Sequence, residues 1–255
     1  MGRITPTVKY IIIINILLWV GTILLLQGKI ADLNSTLAFH YPGSPLYKPW
    51  QFLTHMFMHA SVDRGGIVFY HILFNMFGVW MFGSPLEQLW GRNKFIFFYI
   101  SAGFGSVLLQ WAFYYYQYQS GMDVFIDAGY SISKVQELLT YQIDSVSGLA
   151  PELINAAESM QSVYYGTMLG ASGALYGILV AFAFTYPNSE LMLIFLPIPI
   201  KAKYFVPLMI AGDLFFGFSS YSTGIAHFAH VGGAVAGFIM MWYWKKNQFN
   251  NKRWN

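Results

Sequence analysis

The sequence is poor in the residues that a water-soluble domain needs. It has no cysteine, which excludes disulfides, cysteine–zinc sites and a cysteine nucleophile. Charged residues make up 10% of its 255 positions, whereas an ordinary soluble domain carries about 25%. Hydrophobic residues reach 56%, aromatic residues 19%, and the mean hydropathy is +0.47. The composition therefore predicts one polytopic protein embedded in a lipid bilayer. The net charge of +3 forms no basic stripe, so we expect no nucleic-acid partner.

Six apolar segments approach the length of about 20 residues that a helix needs to cross a bilayer. We predict these spans at residues 10–26, 67–82, 94–116, 163–186, 204–218 and 225–244. Lysine and arginine cluster before the first and after the last span, between the second and third, and before the fifth. An all-α bundle of six helices puts these clusters on one face, which the positive-inside rule makes cytoplasmic.

The segments around the spans complete the predicted organisation. Residues 1–9 form a short cytoplasmic N-terminus, residues 10–244 the six-helix domain, and residues 245–255 a basic cytoplasmic tail. Residues 119–161 form an extended non-cytoplasmic loop with room for one or two short amphipathic helices. Residues 29–58 contain three prolines and several aromatic residues, which is typical of an irregular first loop in the membrane interface.

Polar side chains inside membrane spans are costly and mark functional sites by default. The predicted spans contain few that stand out: His71, Asn75, Ser172, Asp213, His227 and His230. Counted from the non-cytoplasmic ends of their spans, Asn75, Ser172 and His230 lie at depths of roughly 7–14 Å, at ~1.5 Å per residue. Three helices therefore bring polar groups to a similar level.

The residue types at this level fit acyl transfer. A serine such as Ser172 is a weak nucleophile until a base takes its proton, and histidine is the natural base near neutral pH. On spacing alone His230 and His227 both qualify, since they lie three residues apart on one helix. His71 and Asn75 are four residues apart, so they share a helix face and can donate hydrogen bonds to an oxyanion.

Glycines around these residues favour close helix packing. Gly170 and Gly173 flank Ser172, and Gly233 follows His230 by three residues. Small residues let membrane helices approach closely. We therefore predict that the fourth and sixth helices pack together and support the site.

These motifs resemble those of the rhomboid intramembrane serine proteases. They are residues 54–59 (THMFMH), residues 71–75 (HILFN), residues 170–173 (GASG) and residues 229–233 (AHVGG). They occur in the order of the family, and the resemblance runs from about residue 50 to residue 238. The implied fold is a rhomboid-like bundle of six transmembrane helices with an interfacial first loop.

The resemblance also implies an activity, a serine endopeptidase that cuts single-span membrane proteins in or near their transmembrane segments. Ser172 would be the nucleophile and His230 the base, in a dyad without an acidic third member. His71 and Asn75 would donate to the oxyanion together with the Ser172 backbone N–H. Tyr176 would pack on the catalytic histidine. No metal and no cofactor are implied.

Two further positions bear on the resemblance. Glu87 matches a structural position after the second helix. Gln51 stands where the family often has arginine, which puts the stability of the first loop in question. The sequence shows no transit peptide and no signal-peptidase site, so we expect a bacterial plasma (inner) membrane protein whose site opens to the non-cytoplasmic side.

Other interpretations remain open from the sequence. The chain could be a non-enzymatic member of the same fold that binds membrane proteins, although such members typically lack the serine or the histidine. It could be a small transporter, but no inverted repeat is visible. His55 and His59 are spaced as a metal pair, without an evident third ligand. Asp213 could act as a proton relay or make a structural contact.

Overall fold

The fold is described by a computed structural model over residues 3–63, 65–140, 149–193, 196–219 and 224–247. Most of these residues are helical. The helices are α1 (Pro6–Gln27), α2 (Leu33–Leu37), α3 (Gln51–Thr54), α4 (Tyr70–Gly78), α5 (Ser84–Trp90), α6 (Arg92–Asp127), α7 (Ile132–Thr140), α8 (Pro151–Tyr165), α9 (Ser172–Thr185), α10 (Ala202–Phe218) and α11 (His227–Lys246). Residues 248–255 of the predicted basic tail lie outside the described residues.

Short irregular elements join some of the helices. A 3-10 turn follows α3, and a π-helical turn (Val79–Gly83) runs from α4 into α5. The described part of the chain also contains two antiparallel hairpins, β1–β2 (Val62–Asp63 and Gly66–Ile67) and β3–β4 (Glu190–Leu193 and Leu196–Lys201). The predicted all-α class is therefore confirmed as a mostly helical fold with two small hairpins.

The core lies around α9, which contacts α6, α10 and α11. Its fully buried members include Ile178 of α9 and Phe95, Phe98 and Tyr99 of α6. Glycines bring the backbones together: a Cβ on Gly237 of α11 would lie 2.7 Å from the Cα of Gly177 on α9. In lipid, where the hydrophobic effect does not drive association between helices, close contacts of this kind hold helices together.

The outer surface of the bundle is largely apolar. Leu17 of α1 is 65% exposed, and Phe215 and Phe218 of α10 are 71% and 77% exposed. A surface of this kind on a water-soluble monomer would be a large exposed patch, whereas lipid covers it without cost. Among the described helices, α1 and α6 are the two that are long and apolar enough to cross a membrane, judged by length and hydropathy alone.

The predicted fourth span, residues 163–186, is wrong as a continuous helix. Helix α8 ends at Tyr165, and α9 begins at Ser172. Between them, Gly170 has a φ of +128°, which excludes a regular helix and favours glycine. Met168 pairs with Phe39 of the first loop in an isolated β-bridge. Ser172 therefore lies at a helix N-terminus, and the depth deduced from an unbroken span does not apply to it.

The predicted loop 119–161 is mainly helical in its described part. Helix α6 continues to Asp127, and α7 and α8 pack against its extension around Phe125, Val135 and Met160. The two helices correspond to the short amphipathic helices expected in this segment. Residues 141–148 of the loop lie outside the described residues.

Gln51 holds the first loop together at the position where the family often has arginine. It is fully buried, and its Oε1 accepts hydrogen bonds from the backbone N–H groups of His40 (3.2 Å) and Lys48 (3.0 Å). Its Nε2 donates to the carbonyl oxygens of Thr36 (3.2 Å) and Leu46 (3.0 Å). An uncharged amide thus satisfies four backbone groups between residues 36 and 48.

Glu87 fixes the start of α1 against the start of α5. Its carboxylate accepts hydrogen bonds from the backbone N–H groups of Thr7 (2.9 Å) and Val8 (3.0 Å), and from the hydroxyl of Thr5. Burial raises the pKa of this carboxyl, but the hydrogen bonds together outweigh burial, so its pKa lies below the ordinary 4.5. The ionised form is therefore the one that caps α1.

We expect Glu87→Gln to remove a pH-dependent part of the folding stability. A carboxyl whose pKa falls on folding stabilises the protein above its unfolded pKa, and this contribution is lost as the pH falls through the folded value. The variant should melt at a lower temperature than wild type at pH 7, and the difference should shrink below pH 4.5. Thermal unfolding in detergent at several pH values measures it, and a pH-independent difference would contradict the role.

Candidate active site

The polar residues singled out in the sequence meet where three helices begin. His71 is the second residue of α4, Ser172 the first of α9, and His230 the fourth of α11. The first N–H groups of a helix have no acceptor within the helix and carry a partial positive charge. The start of α9 therefore offers backbone donors next to the Ser172 hydroxyl.

Ser172 and His230 are in hydrogen-bond contact. The Nε2 of His230 lies 2.9 Å from the Oγ of Ser172, and the imidazole is 13% exposed. The Tyr176 ring stacks on the imidazole, with centroids 4.3 Å apart and planes inclined by 11°. His227 points its Nδ1 at Asp213 instead. Of the two candidate bases, the structure thus brings His230 to the serine.

The neutral His71 ring can donate a hydrogen bond from its Nε2. The backbone N–H of Ala60 donates to its Nδ1 (3.1 Å), so the proton of the neutral ring sits on Nε2. That Nε2 would lie 3.0 Å from a Cβ placed on Gly170, and the Oγ of Ser172 would lie 3.5 Å from the same point. The donor and the nucleophile therefore face one small space beside Gly170.

Asn75 lies one turn deeper on α4. Its Nδ2 donates to the carbonyl oxygen of His71 (2.8 Å), and its Oδ1 is buried without a hydrogen-bond partner. A carboxamide has two N–H donors, so the second one remains for another acceptor. The hydrogen bond that the structure gives Asn75 thus ties it to His71 on the same helix.

The predicted small residues allow these contacts. A Cβ on Gly173 would lie 2.0 Å from the Ser106 Oγ of α6, and a Cβ on Gly233 would lie 1.8 Å from the carbonyl oxygen of Gly173. No side chain fits at such distances. Gly170 adds a second requirement, since its positive φ turns the chain just before Ser172.

An acidic residue joins the site, contrary to the expectation of a dyad alone. The Oδ1 of Asp213, on α10, lies 3.0 Å from the Nδ1 of His230 and 2.6 Å from the Nδ1 of His227. The Asp213 side chain is 7% exposed. The two sequence interpretations of Asp213 were a proton relay and a structural contact, and neither placed it against His230. An acidic residue within an apolar segment was the available signal, but chain position did not reveal its partner.

His55 and His59, which are spaced as a metal pair, make hydrogen bonds to two other residues. The Nδ1 of His55 lies 2.9 Å from the Gln51 carbonyl oxygen, and the Nε2 of His59 lies 2.8 Å from the Asn15 Oδ1. Among the described residues, the group with ligand atoms close enough for a metal ion is Asp213, His227 and His230, all within 4.8 Å of one another. The two nitrogen–oxygen distances to Asp213 are those of hydrogen bonds.

Comparison with known proteins identifies the class. A family model described as the rhomboid domain matches residues 47–247, and the chain belongs to the rhomboid family. The chain is 24% identical over 179 residues to "Rhomboid protein 1, mitochondrial" of Saccharomyces cerevisiae, which covers 70% of this chain and 39% of that protein.

Animal relatives match over more of the chain. It is 24% identical over 238 residues to "Presenilin-associated rhomboid-like protein, mitochondrial" of Mus musculus, covering 89% of this chain and 48% of the relative. It is 25% identical over 250 residues to "Presenilin-associated rhomboid-like protein A, mitochondrial" of Danio rerio, covering 92% and 50%. The chain thus spans half or less of the length of these relatives.

The predicted bacterial plasma membrane is wrong by this comparison. The yeast and animal relatives named above are mitochondrial proteins and not bacterial ones. The expectation depended on the absence of a transit peptide from the given sequence. Because the relatives are about twice as long, the beginning of this sequence carries no information on targeting.

Proposed function

We propose that the chain is a serine endopeptidase that hydrolyses peptide bonds in or near the transmembrane segments of single-span membrane proteins. The observation that carries the proposal is the 2.9 Å contact between the Ser172 Oγ and the His230 Nε2, in a chain of the rhomboid family. We further propose that α1, α4 with the π-helical turn that follows it, α6, α9, α10 and α11 form the six membrane-spanning units.

The contact allows nucleophilic catalysis. The Ser172 hydroxyl attacks the scissile carbonyl carbon while its proton passes to the His230 Nε2. The C–N bond then breaks as His230 returns the proton to the leaving amine, which leaves an acyl-enzyme on Ser172. A water molecule, deprotonated by the same nitrogen, then attacks the ester. As the bond to the Ser172 Oγ breaks, His230 returns the proton to that oxygen, and the carboxylic acid product leaves.

The oxyanion formed in both steps needs donors beside Ser172. The Nε2–H of His71 and the backbone N–H groups at the start of α9 supply them, and the second N–H of Asn75 completes the set. Donors fixed before the reaction stabilise the developing charge without reorganisation. The helix N-terminus adds a partial positive charge at the same point.

Labelling with a fluorophosphonate tests the nucleophile directly. Wild type, Ser172→Ala and Ser162→Ala are purified in detergent; Ser162 is an exposed serine of α8 and serves as the matched control. We expect labelling of wild type and Ser162→Ala and none of Ser172→Ala. The same set is assayed for cleavage of a single-span peptide in liposomes. A wild type that neither labels nor cleaves would favour a non-enzymatic binder of membrane proteins.

We expect His71→Ala and Asn75→Ala each to lower kcat by roughly 10²–10³-fold, the usual cost of removing one oxyanion donor. The KM for the peptide should change much less, because the donors act on charge that develops only in the transition state. Leu73→Ala on the same helix is the control, since this side chain is 51% exposed on the outside of the bundle. Unchanged kcat in both variants would remove the two residues from the oxyanion site.

A further inference from the structure

Asp213 is a buried acidic side chain on a helix that is otherwise almost entirely apolar. Between residues 202 and 246 it is the only aspartate or glutamate in the sequence. A carboxylate in such surroundings is costly unless it is paired and hydrogen-bonded. Its partners are the two histidines of α11, and one of these also touches Ser172.

The hydrogen bonds of His230 use both ring nitrogens. The Nδ1 faces the Asp213 carboxylate at 3.0 Å, and the Nε2 faces the Ser172 hydroxyl at 2.9 Å. A carboxylate oxygen only accepts, so the proton of the neutral ring is on Nδ1. The Nε2 is then free of a proton and oriented to take one from serine, and this is the tautomer that a general base requires.

His227 and Tyr176 hold this arrangement in place. The Nδ1 of His227 lies 2.6 Å from the same Asp213 oxygen, which fixes the carboxylate from the other side. The Tyr176 hydroxyl also reaches this carboxyl group, while its ring stacks on His230. Asp213 is therefore fixed by groups on α9 and α11 although it belongs to α10.

Resting on the function proposed above, we propose that Asp213 is the third member of a Ser172–His230–Asp213 triad. Its carboxylate is a positioning group: it holds His230 in the productive tautomer and stabilises the imidazolium formed when the Ser172 proton moves to Nε2. Asp213 does not take up that proton, which passes from Nε2 to the leaving amine. Helix α10 thereby contributes to catalysis without touching the substrate.

The test compares kcat and KM of wild type, Asp213→Asn and Ser172→Ala on the single-span peptide in liposomes. Asparagine keeps the shape but replaces an acceptor by an amide that can favour the wrong tautomer. By the precedent of serine proteases, we expect kcat to fall by roughly 10²–10⁴-fold, with KM and the melting temperature close to wild type. Equal kcat in wild type and Asp213→Asn, with Ser172→Ala inactive, overturns the triad and leaves the proposed protease intact.

A second variant covers the case in which Asp213→Asn does not fold. Asp213→Ala leaves space for a small carboxylate, and formate is expected to raise its kcat in a saturable manner, with no effect on wild type. Formamide, which has the same shape without the charge, is the control and should not restore activity. An absence of rescue in folded Asp213→Ala would favour a structural role for the aspartate and overturn the proposal.

A metal ion is the competing use of the same three side chains. Wild-type protein treated with excess EDTA should retain full kcat if Asp213 acts through hydrogen bonds. Loss of activity in EDTA that zinc restores would overturn the triad, since Asp213 and the Nδ1 of His230 would then be metal ligands. A wild type that neither cleaves nor labels overturns both this proposal and the protease function.

Discussion

Replacing His230 by alanine is expected to slow cleavage of a single-span peptide by about 10³-fold or more, with Ser172→Ala producing a similar loss. Neither group works alone, because the hydroxyl of Ser172 needs the imidazole 2.9 Å away to take its proton. The double variant should therefore be no slower than either single variant. Single-turnover rates at saturating peptide in liposomes measure all three.

The control for this series is Ile239→Ala on the same helix. Ile239 is 56% exposed and lies away from the site, so its truncation should leave the rate near wild type. Two outcomes contradict the assignment. If the losses of the two single variants multiply in the double variant, the groups act independently. If His230→Ala keeps most of its activity, another base serves Ser172, and His227 is the neighbour to test next.

The sequence could predict which residues share the site, because polar side chains in apolar helices are few. Ser172, His230 and His71 stood out by type and by their positions in the chain, and the structure brings them to the beginnings of α9, α11 and α4. The spacing of Gly173 and Gly233 likewise indicated close packing of two helices. Their catalytic roles stay predictions until the variants are measured.

The interruption of the helix between α8 and α9, just before Ser172, could not be predicted from hydropathy. Residues 163–186 are apolar enough to suggest one helix, and what ends α8 is backbone geometry. Gly170 adopts a positive φ, and Met168 pairs with Phe39, more than one hundred residues away in the chain. Long-range pairing of this kind leaves no periodic signal. It nevertheless decides that Ser172 starts a helix and has unbonded backbone N–H groups beside it.

The contact between Asp213 and His230 also could not be predicted from the sequence. Helix α10 is apolar on all sides, so periodicity does not indicate which face turns inward. The 3.0 Å contact with His230 depends on the rotation of α10 about its axis and on its crossing with α11. By contrast, Glu87 was expected to be structural, and its cap on α1 adds partners that the sequence did not name.

The packing of α11 on α9 sets the distance on which the chemistry depends. A Cβ on Gly233 would lie 1.8 Å from the carbonyl oxygen of Gly173, which is far inside van der Waals contact. The overlap involves backbone on one side, so no side-chain rotation relieves it. Gly233→Ala must therefore move α11 away from α9, and His230 lies one turn earlier on the same face.

We expect Gly233→Ala to lose about 1–3 kcal/mol of stability, the usual cost of overpacking a close contact. Cleavage should fall by about 10²-fold or more, since a displacement near 1 Å is enough to disturb a reacting pair. Gly21→Ala is the matched control: it makes the same change in α1, where a Cβ meets nothing within 4 Å. Its melting temperature and rate should equal or slightly exceed those of wild type, because alanine favours helix over glycine. Melting in detergent and peptide cleavage in liposomes measure the two effects. If Gly233→Ala matches the Gly21→Ala control in both, contact between α9 and α11 does not control the Ser172–His230 distance.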